Sequence, residues 1–155
     1  MLFKESDYGK SLQTVSDLCS EAMADYRCLM AYRNLFQGFD GEKGLARIRY
    51  LAAREEEALG HSKRAGESYS ALIRKYPDDA EYNGLSEIRL LLLEVADFKG
   101  KGASAHKEKN REVINRLDKI IARDPATHVA ARALLEKGNI HFALDESDKA
   151  LQLYK

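Results

Sequence analysis

Two stretches of this chain place matching side chains at the same distances from a proline, and that recurrence limits the folds open to it. Pro77 ends Leu72-Ile73-Arg74-Lys75-Tyr76-Pro77, and Pro125 ends Ile120-Ile121-Ala122-Arg123-Asp124-Pro125. Five, eight and twelve residues before Pro77 stand Leu72, Tyr69 and Ala65, while Ile120, Leu117 and Val113 hold the same offsets before Pro125. Spacings of three and four put each set on one helix face, and the proline ends the helix by clashing with its preceding turn. A further twelve residues before Ala65 stands Ala53; Gly138 likewise precedes Ala150 by twelve, and Tyr154 follows Ala150 by four. Gly60 lies five before Ala65 and Asp145 five before Ala150, where a short turn between helices is required. Antiparallel helices approach closely only where small side chains oppose each other. A large residue, Tyr69 or Tyr154, then fills the space against the next pair. One such pair cannot cover its own apolar face, so the units stack.

Around this repeat the chain reads as helix throughout. It has two prolines and no sustained apolar/polar alternation. Asp40-Gly41, the nearest approach to a hairpin turn, lies between helical patterns. From Ser11 to Gln37, apolar residues recur at Leu12, Val15, Cys19, Ala22, Tyr26, Leu29 or Met30, and Phe36. That spacing predicts one long amphipathic helix, stopped by Gly38 and Asp40-Gly41. Further helices are expected over about 42–59 and 62–76, and from Asp78 or Asp79, whose carboxylates suit a helix start, to Phe98. Three more are expected over about 105–123, 127–144 and 146–155. Lys99-Gly100-Lys101-Gly102-Ala103-Ser104 is the one loop of flexible composition. The expected organisation is all-α with about seven helices. A long helix in 1–41 packs on an array of units at about 46–79, 80–126 with an insertion near 99–104, and a truncated 127–155.

This register resembles the tetratricopeptide repeat, a helix-turn-helix unit of about 34 residues. Ala65-Gly66-Glu67-Ser68-Tyr69-Ser70-Ala71-Leu72-Ile73-Arg74-Lys75-Tyr76-Pro77 looks especially like the second helix of such a unit, and is similar to bacterial envelope-assembly repeat proteins. The resemblance covers about 46–155. Tyr50 is one residue from the family's usual aromatic, and Glu56 and His141 stand where tyrosine is common. Pro77 to Pro125 is 48 residues, about 14 more than one unit; an extended fourth helix and the 99–104 loop are expected to hold the excess.

The resemblance implies a right-handed superhelix whose concave groove is lined by the first helix of each pair. Groove-facing candidates are then Arg47, Tyr50, Arg54 and Glu57, with Arg132, Leu135, Asn139 and Phe142 as their counterparts. The repeat-packing residues are Ala53, Ala65, Tyr69, Leu72, Pro77, Leu117, Ile120, Pro125, Gly138, Ala150 and Tyr154. An arginine-and-aromatic surface suits an extended peptide or a helix carrying acidic and apolar side chains. Tyr50 and Arg54 occupy places where carboxylate-clamping members show lysine and asparagine, so that clamp is not expected.

Motifs for chemistry fail on inspection. Gly9-Lys10-Ser11 lacks the glycine five residues earlier that a phosphate-binding loop needs; Lys4 stands there. His61, His106, His128 and His141 are never three or four apart, so no metal-ligand pattern arises. His141 reads as a packed inter-helix residue. Cys19 and Cys28, nine residues apart, would face opposite sides of a single helix and read as two unpaired thiols. Glu55-Glu56-Glu57 reads as a solvated helix surface. Lys99, Lys101, His106, Lys107, Lys109 and Arg111 form a basic segment, read as a soluble mobile loop or as a docking site for an acidic partner or membrane surface.

The 25 basic and 25 acidic side chains cancel, and no aromatic interleaves the lysines, so nucleic-acid binding is not expected. Met1 to Asp7 has no apolar stretch of secretory length, and Leu90–Leu93 is far short of a membrane span. No cofactor, metal or catalytic role is expected. The leading expectation is an adaptor or scaffold that binds a protein partner. Ala150 to Tyr154 appears to end inside a helix with apolar residues uncovered, which fits a piece of a longer array or self-assembly into a homo-oligomer. Unpaired cysteines fit a cytoplasmic protein; the resemblance to envelope-associated repeats fits a periplasmic or membrane-tethered one.

Overall fold

The residues that set the repeat also set the helix ends. In the computed structural model, which describes residues 14–15, 26–38 and 45–155, the chain is all-α. The helices are α1 (Tyr26–Gly38), α2 (Leu45–Ala58), α3 (Ser62–Lys75), α4 (Ala80–Phe98), α5 (Ala103–Arg123), α6 (His128–Ala143) and α7 (Ser147–Leu153). No strand occurs among the described residues. Helix α3 stops before Pro77, and Asn83 Nδ2 donates to the carbonyls of Tyr76 (2.8 Å) and Pro77 (3.1 Å), which the ended helix leaves without partners. Asp79 Oδ1 accepts from the Tyr82 N–H at 2.9 Å and caps α4, as its carboxylate predicts. Thr127 Oγ1 caps α6 by accepting from the Ala130 N–H at 3.2 Å.

The two short turns share one geometry. Gly60 has φ +81° and Asp145 has φ +61°. The Gly60 N–H donates to the Glu57 carbonyl and the His61 N–H to the Glu56 carbonyl, both at 2.9 Å. At the equivalent places, the Asp145 N–H donates to Phe142 (3.1 Å) and the Glu146 N–H to His141 (3.0 Å). Each is a left-handed helix closure that satisfies the last carbonyls of one helix while starting the next.

The chain divides into two compact units between Ser86 and Glu87. In the first, α2 packs against α1 and α3 around Leu29, Tyr32, Leu45, Ile48 and Ala52, with Val15 and Leu35 among the partly buried residues against them. Leu29, not Met30, is the core member of the α1 stripe; Leu12, Cys19, Ala22 and the Asp40-Gly41 pair lie outside the described residues. Ala53, Ala65, Tyr69 and Leu72 are fully buried. In the second unit, α6 packs against α5 and α7, and Ile88, Leu91, Val113, Ile114, Leu117, Ile120, Ala133 and Ile140 form the core. Ala150 and Gly138 are buried too. Both prolines, Pro77 and Pro125, are exposed beyond the helices they end.

Four expectations are corrected. Ala103 and Ser104 belong to α5, so the loop is shorter than 99–104. The excess length is mostly helix, because α4 has 19 residues and α5 has 21 against 14 each for α2 and α3. Glu56 is 4% exposed, not solvated: Arg33 Nη2 pairs with its Oε1, and Ser68 Oγ donates to its Oε2 at 2.8 Å. Cys28 is disulfide-bonded. The unpaired reading placed both cysteines on one rigid helix, whereas α1 begins at Tyr26, two residues before Cys28. Finally, α7 ends at Leu153, where the Tyr154 N–H donates back to the Ala150 carbonyl.

The basic segment is partly neutralised. Lys101 pairs with Asp97 at 2.8 Å, while Lys109 bridges Glu94 (2.8 Å) and Glu112 (2.9 Å). Arg116 also reaches Glu94 at 2.8 Å. Burial pushes the Glu94 carboxyl up, but hydrogen bonds from Lys109 and Arg116 together outweigh it and hold the pKa below 4.5. Hydrogen bonds to Glu94 and Glu112 raise Lys109 above 10.5.

Two predictions follow from these contacts. A β-carbon costs about 1 kcal/mol at a left-handed position. Gly60→Ala is therefore expected to lower the unfolding free energy by about that amount, and Asp145→Gly to raise it by about 0.5–1 kcal/mol, read from urea midpoints. A carboxyl lowered by folding stabilises above its unfolded pKa, and a lysine raised by folding stabilises below its own. Stability from the Glu94–Lys109 pair is thus complete between 4.5 and 10.5, is lost in acid as Glu94 protonates and is lost in alkali as Lys109 deprotonates. Denaturation midpoints across pH should show Glu94→Gln with a shallower acid limb than the wild type.

Candidate functional site

Helix α6 has two faces of different character. Ala130, Ala133 and Ile140 are buried on one. Arg132, Leu135, Asn139 and Phe142 follow one another at three, four and three residues, and at 100° per residue they share an arc of roughly 80°. Leu135 is 42% exposed and Phe142 65% exposed; Asn139 is exposed and Arg132 half-buried. Widening the arc to about 120° adds His128, Ala131 and Ala143, all exposed, and no acidic side chain.

The polar residues of this face are held in place. Glu136 is 6% exposed; its Oε1 pairs with Arg132 Nη2 and its Oε2 accepts from Asn139 Nδ2 at 3.0 Å. Tyr154 Oη donates to Asn139 Oδ1 at 2.9 Å. The Tyr154 ring lies against Gly138, where a β-carbon would collide with Cε1. The glycine is what lets the ring lie flat on α6. At the end of the helix, His141 is buried with Nδ1 2.7 Å from Glu146 Oε2, and Lys149 Nζ stands 3.1 Å from the same oxygen. The His141 bond first, then Lys149, holds the Glu146 carboxyl below 4.5.

The α2 set behaves differently. Arg47 and Arg54 are exposed, but Tyr50 is a core residue, 9% exposed, with its ring centroid 5.9 Å from Tyr69 and 5.7 Å from Tyr82. Glu57 is half-buried and accepts from Tyr69 Oη at 3.0 Å. The cause is that α2 is packed from two sides, by α1 and α3, so only a narrow strip is left for solvent. Residue spacing thus gathers Arg132, Leu135, Asn139 and Phe142 on one surface and does not do so for Arg47, Tyr50, Arg54 and Glu57.

Glu136 and Glu146 were not recognised from sequence. The i,i+4 spacing of Arg132 and Glu136 is the signal that carried the first; the second depends on the turn at Asp145. Among the described residues, no group of three or more His, Cys, Asp or Glu side chains could hold a metal ion, and no helix is long and apolar enough to cross a membrane. No protein-family model, curated protein or solved structure matches this chain.

Proposed function

We propose that this chain is a tetratricopeptide-like scaffold module, and that the α6 face receives an apolar segment of a partner protein flanked by acidic side chains. The observation that carries this reading is the exposure of Leu135 and Phe142 on one face, at 42% and 65%. Each exposed square ångström of apolar surface forgoes about 25 cal/mol that burial would supply. Aromatic and arginine side chains also dominate the energetics of protein interfaces. The arc carries Arg132 and no exposed carboxylate, so its charge complements an acidic segment. Glu136 and Tyr154 hold Arg132 and Asn139 in position, which reduces the ordering cost of association.

A second reading has its own observation. Leu151 is 58% exposed and Tyr154 45% exposed on or beside α7, which favours self-assembly through that helix. Light scattering over a concentration series decides it: a chain that stays monomeric throughout loses this reading. The disulfide at Cys28 supports an oxidising compartment over the cytoplasm, where disulfides are rare.

The primary reading is tested with a displayed library of random peptides. Selected peptides should be enriched in large apolar residues next to Asp or Glu. Phe142→Ala is expected to weaken their binding by tenfold or more, the scale of an interface hot spot, with the urea midpoint of the free protein unchanged. Selected peptides that bind Phe142→Ala and Leu135→Ala as tightly as the wild type would remove α6 from the reading.

A further inference from the structure

In the first unit, α1, α2 and α3 line an open cavity of about 150 Å³. Its polar lining is Arg33, Arg49, Glu56 and Ser68, with Ala52 and Ala71 on the apolar side. A water occupies about 30 Å³ of liquid, so the space suits a small polyatomic group. Glu56, the one carboxylate in the lining, is committed: its side chain is 5% exposed, Arg33 holds Oε1, and Ser68 Oγ holds Oε2 at 2.8 Å. Arg49 is anchored through Nε, which donates to Tyr76 Oη at 2.9 Å. Two guanidiniums against one carboxylate leave the lining with a formal charge of +1.

Each guanidinium carries five N–H donors in a planar fork that matches a carboxylate. Placing net positive charge in a half-buried recess is costly unless an anion meets it. We propose that this cavity is a binding site for a carboxylate, whose oxygens face the Arg33 and Arg49 guanidiniums. Glu56 sets the preference within the anions. Its negative charge in the wall repels a phosphate dianion about twice as strongly as a carboxylate monoanion. The site therefore selects the singly charged group. It is built from residues of α1, α2 and α3 and does not depend on the reading of α6.

The carboxylate could come from a free small acid or from the end of a polypeptide, and the test separates them. Backbone amide shifts of Ala52 and Ala71 are followed by NMR at pH 8 while acetate, inorganic phosphate, N-acetylalanine or N-acetylalaninamide is added. Saturable shifts are expected with acetate and N-acetylalanine, about tenfold weaker with phosphate, and absent with the amide. Tighter binding of N-acetylalanine than of acetate assigns the site to a chain terminus; equal binding assigns it to a free small acid. Arg49→Gln should weaken acetate about tenfold, and Glu56→Gln should tighten phosphate relative to acetate. If Glu56→Gln does not fold, Arg49→Gln with the amide control decides alone. The assignment fails if N-acetylalaninamide shifts Ala52 and Ala71 as N-acetylalanine does, or if Arg49→Gln keeps wild-type affinity for acetate.

Discussion

A chain that leaves one helix and enters an antiparallel neighbour within a few residues must pass through a left-handed conformation, and the rest of this structure follows from where it does so. Gly60 and Asp145 supply that conformation. With the reversal point set, residues equally distant from it along the two helices are brought level. Ala53 and Ala65 around Gly60, and Gly138 and Ala150 around Asp145, are buried because they lack the bulk that would hold the helices apart. Tyr69 and Tyr154 come at the same step after their turns. A shift of one residue in either turn would rotate the following helix by about 100° and exchange these small residues for large or charged neighbours.

The two pairs start from the same geometry and end in different surroundings. Tyr69 is fully buried, beside Tyr50, and its hydroxyl reaches Glu57. Tyr154 is 45% exposed, lies on Gly138 and donates to Asn139. In both cases the hydroxyl returns to the first helix of its own pair, so the tyrosine also braces the turn. Buried carboxylates serve a related purpose. Glu56 holds Arg33 and Ser68 together across elements, and Glu136 orients Arg132 and Asn139 within one helix. Removing either carboxylate would leave cationic or polar neighbours without their partner, which is the costly way to break such a contact.

Features with a local cause were legible in the sequence. Pro77, Asp79 and Thr127 mark helix ends because each acts on the backbone within a few residues. The equivalence of Gly60 and Asp145 was legible from spacing alone, although aspartate is an unfavoured residue at positive φ. What failed depends on distant neighbours. Glu56 looks like part of a solvated run, and only Arg33 and Ser68, remote in sequence, make its burial tolerable. Tyr50 follows the same periodicity as the exposed Arg47 and Arg54, but Tyr69 and Tyr82 claim its ring. Ala103 and Ser104 follow two glycines and look flexible, yet the α5 backbone bonds begin there, with the His106 N–H donating to Gly102. Cys28 was misjudged because a continuous helix was assumed across both cysteines.

The contrast between α2 and α6 explains why one repeat pattern yields a surface in only one of its copies. Both helices place side chains at matching distances before a left-handed turn, so pattern alone assigns them the same outward face. Helix α2 meets α1 on one side and α3 on the other, and Tyr82 of α4 reaches Tyr50. Its residual strip carries Arg47 and Arg54, two long charged side chains that gain little from burial. Helix α6 packs against α5 and α7, yet keeps Leu135 and Phe142 exposed together with a braced asparagine and arginine. An apolar pair is the part of a surface that gains most on association, because its burial removes water without leaving a charge to be re-paired. The rigid support beneath that pair is what separates a binding face from an incidental exposed residue: Tyr154 is seated by Gly138, and Glu136 holds its two neighbours before any partner arrives.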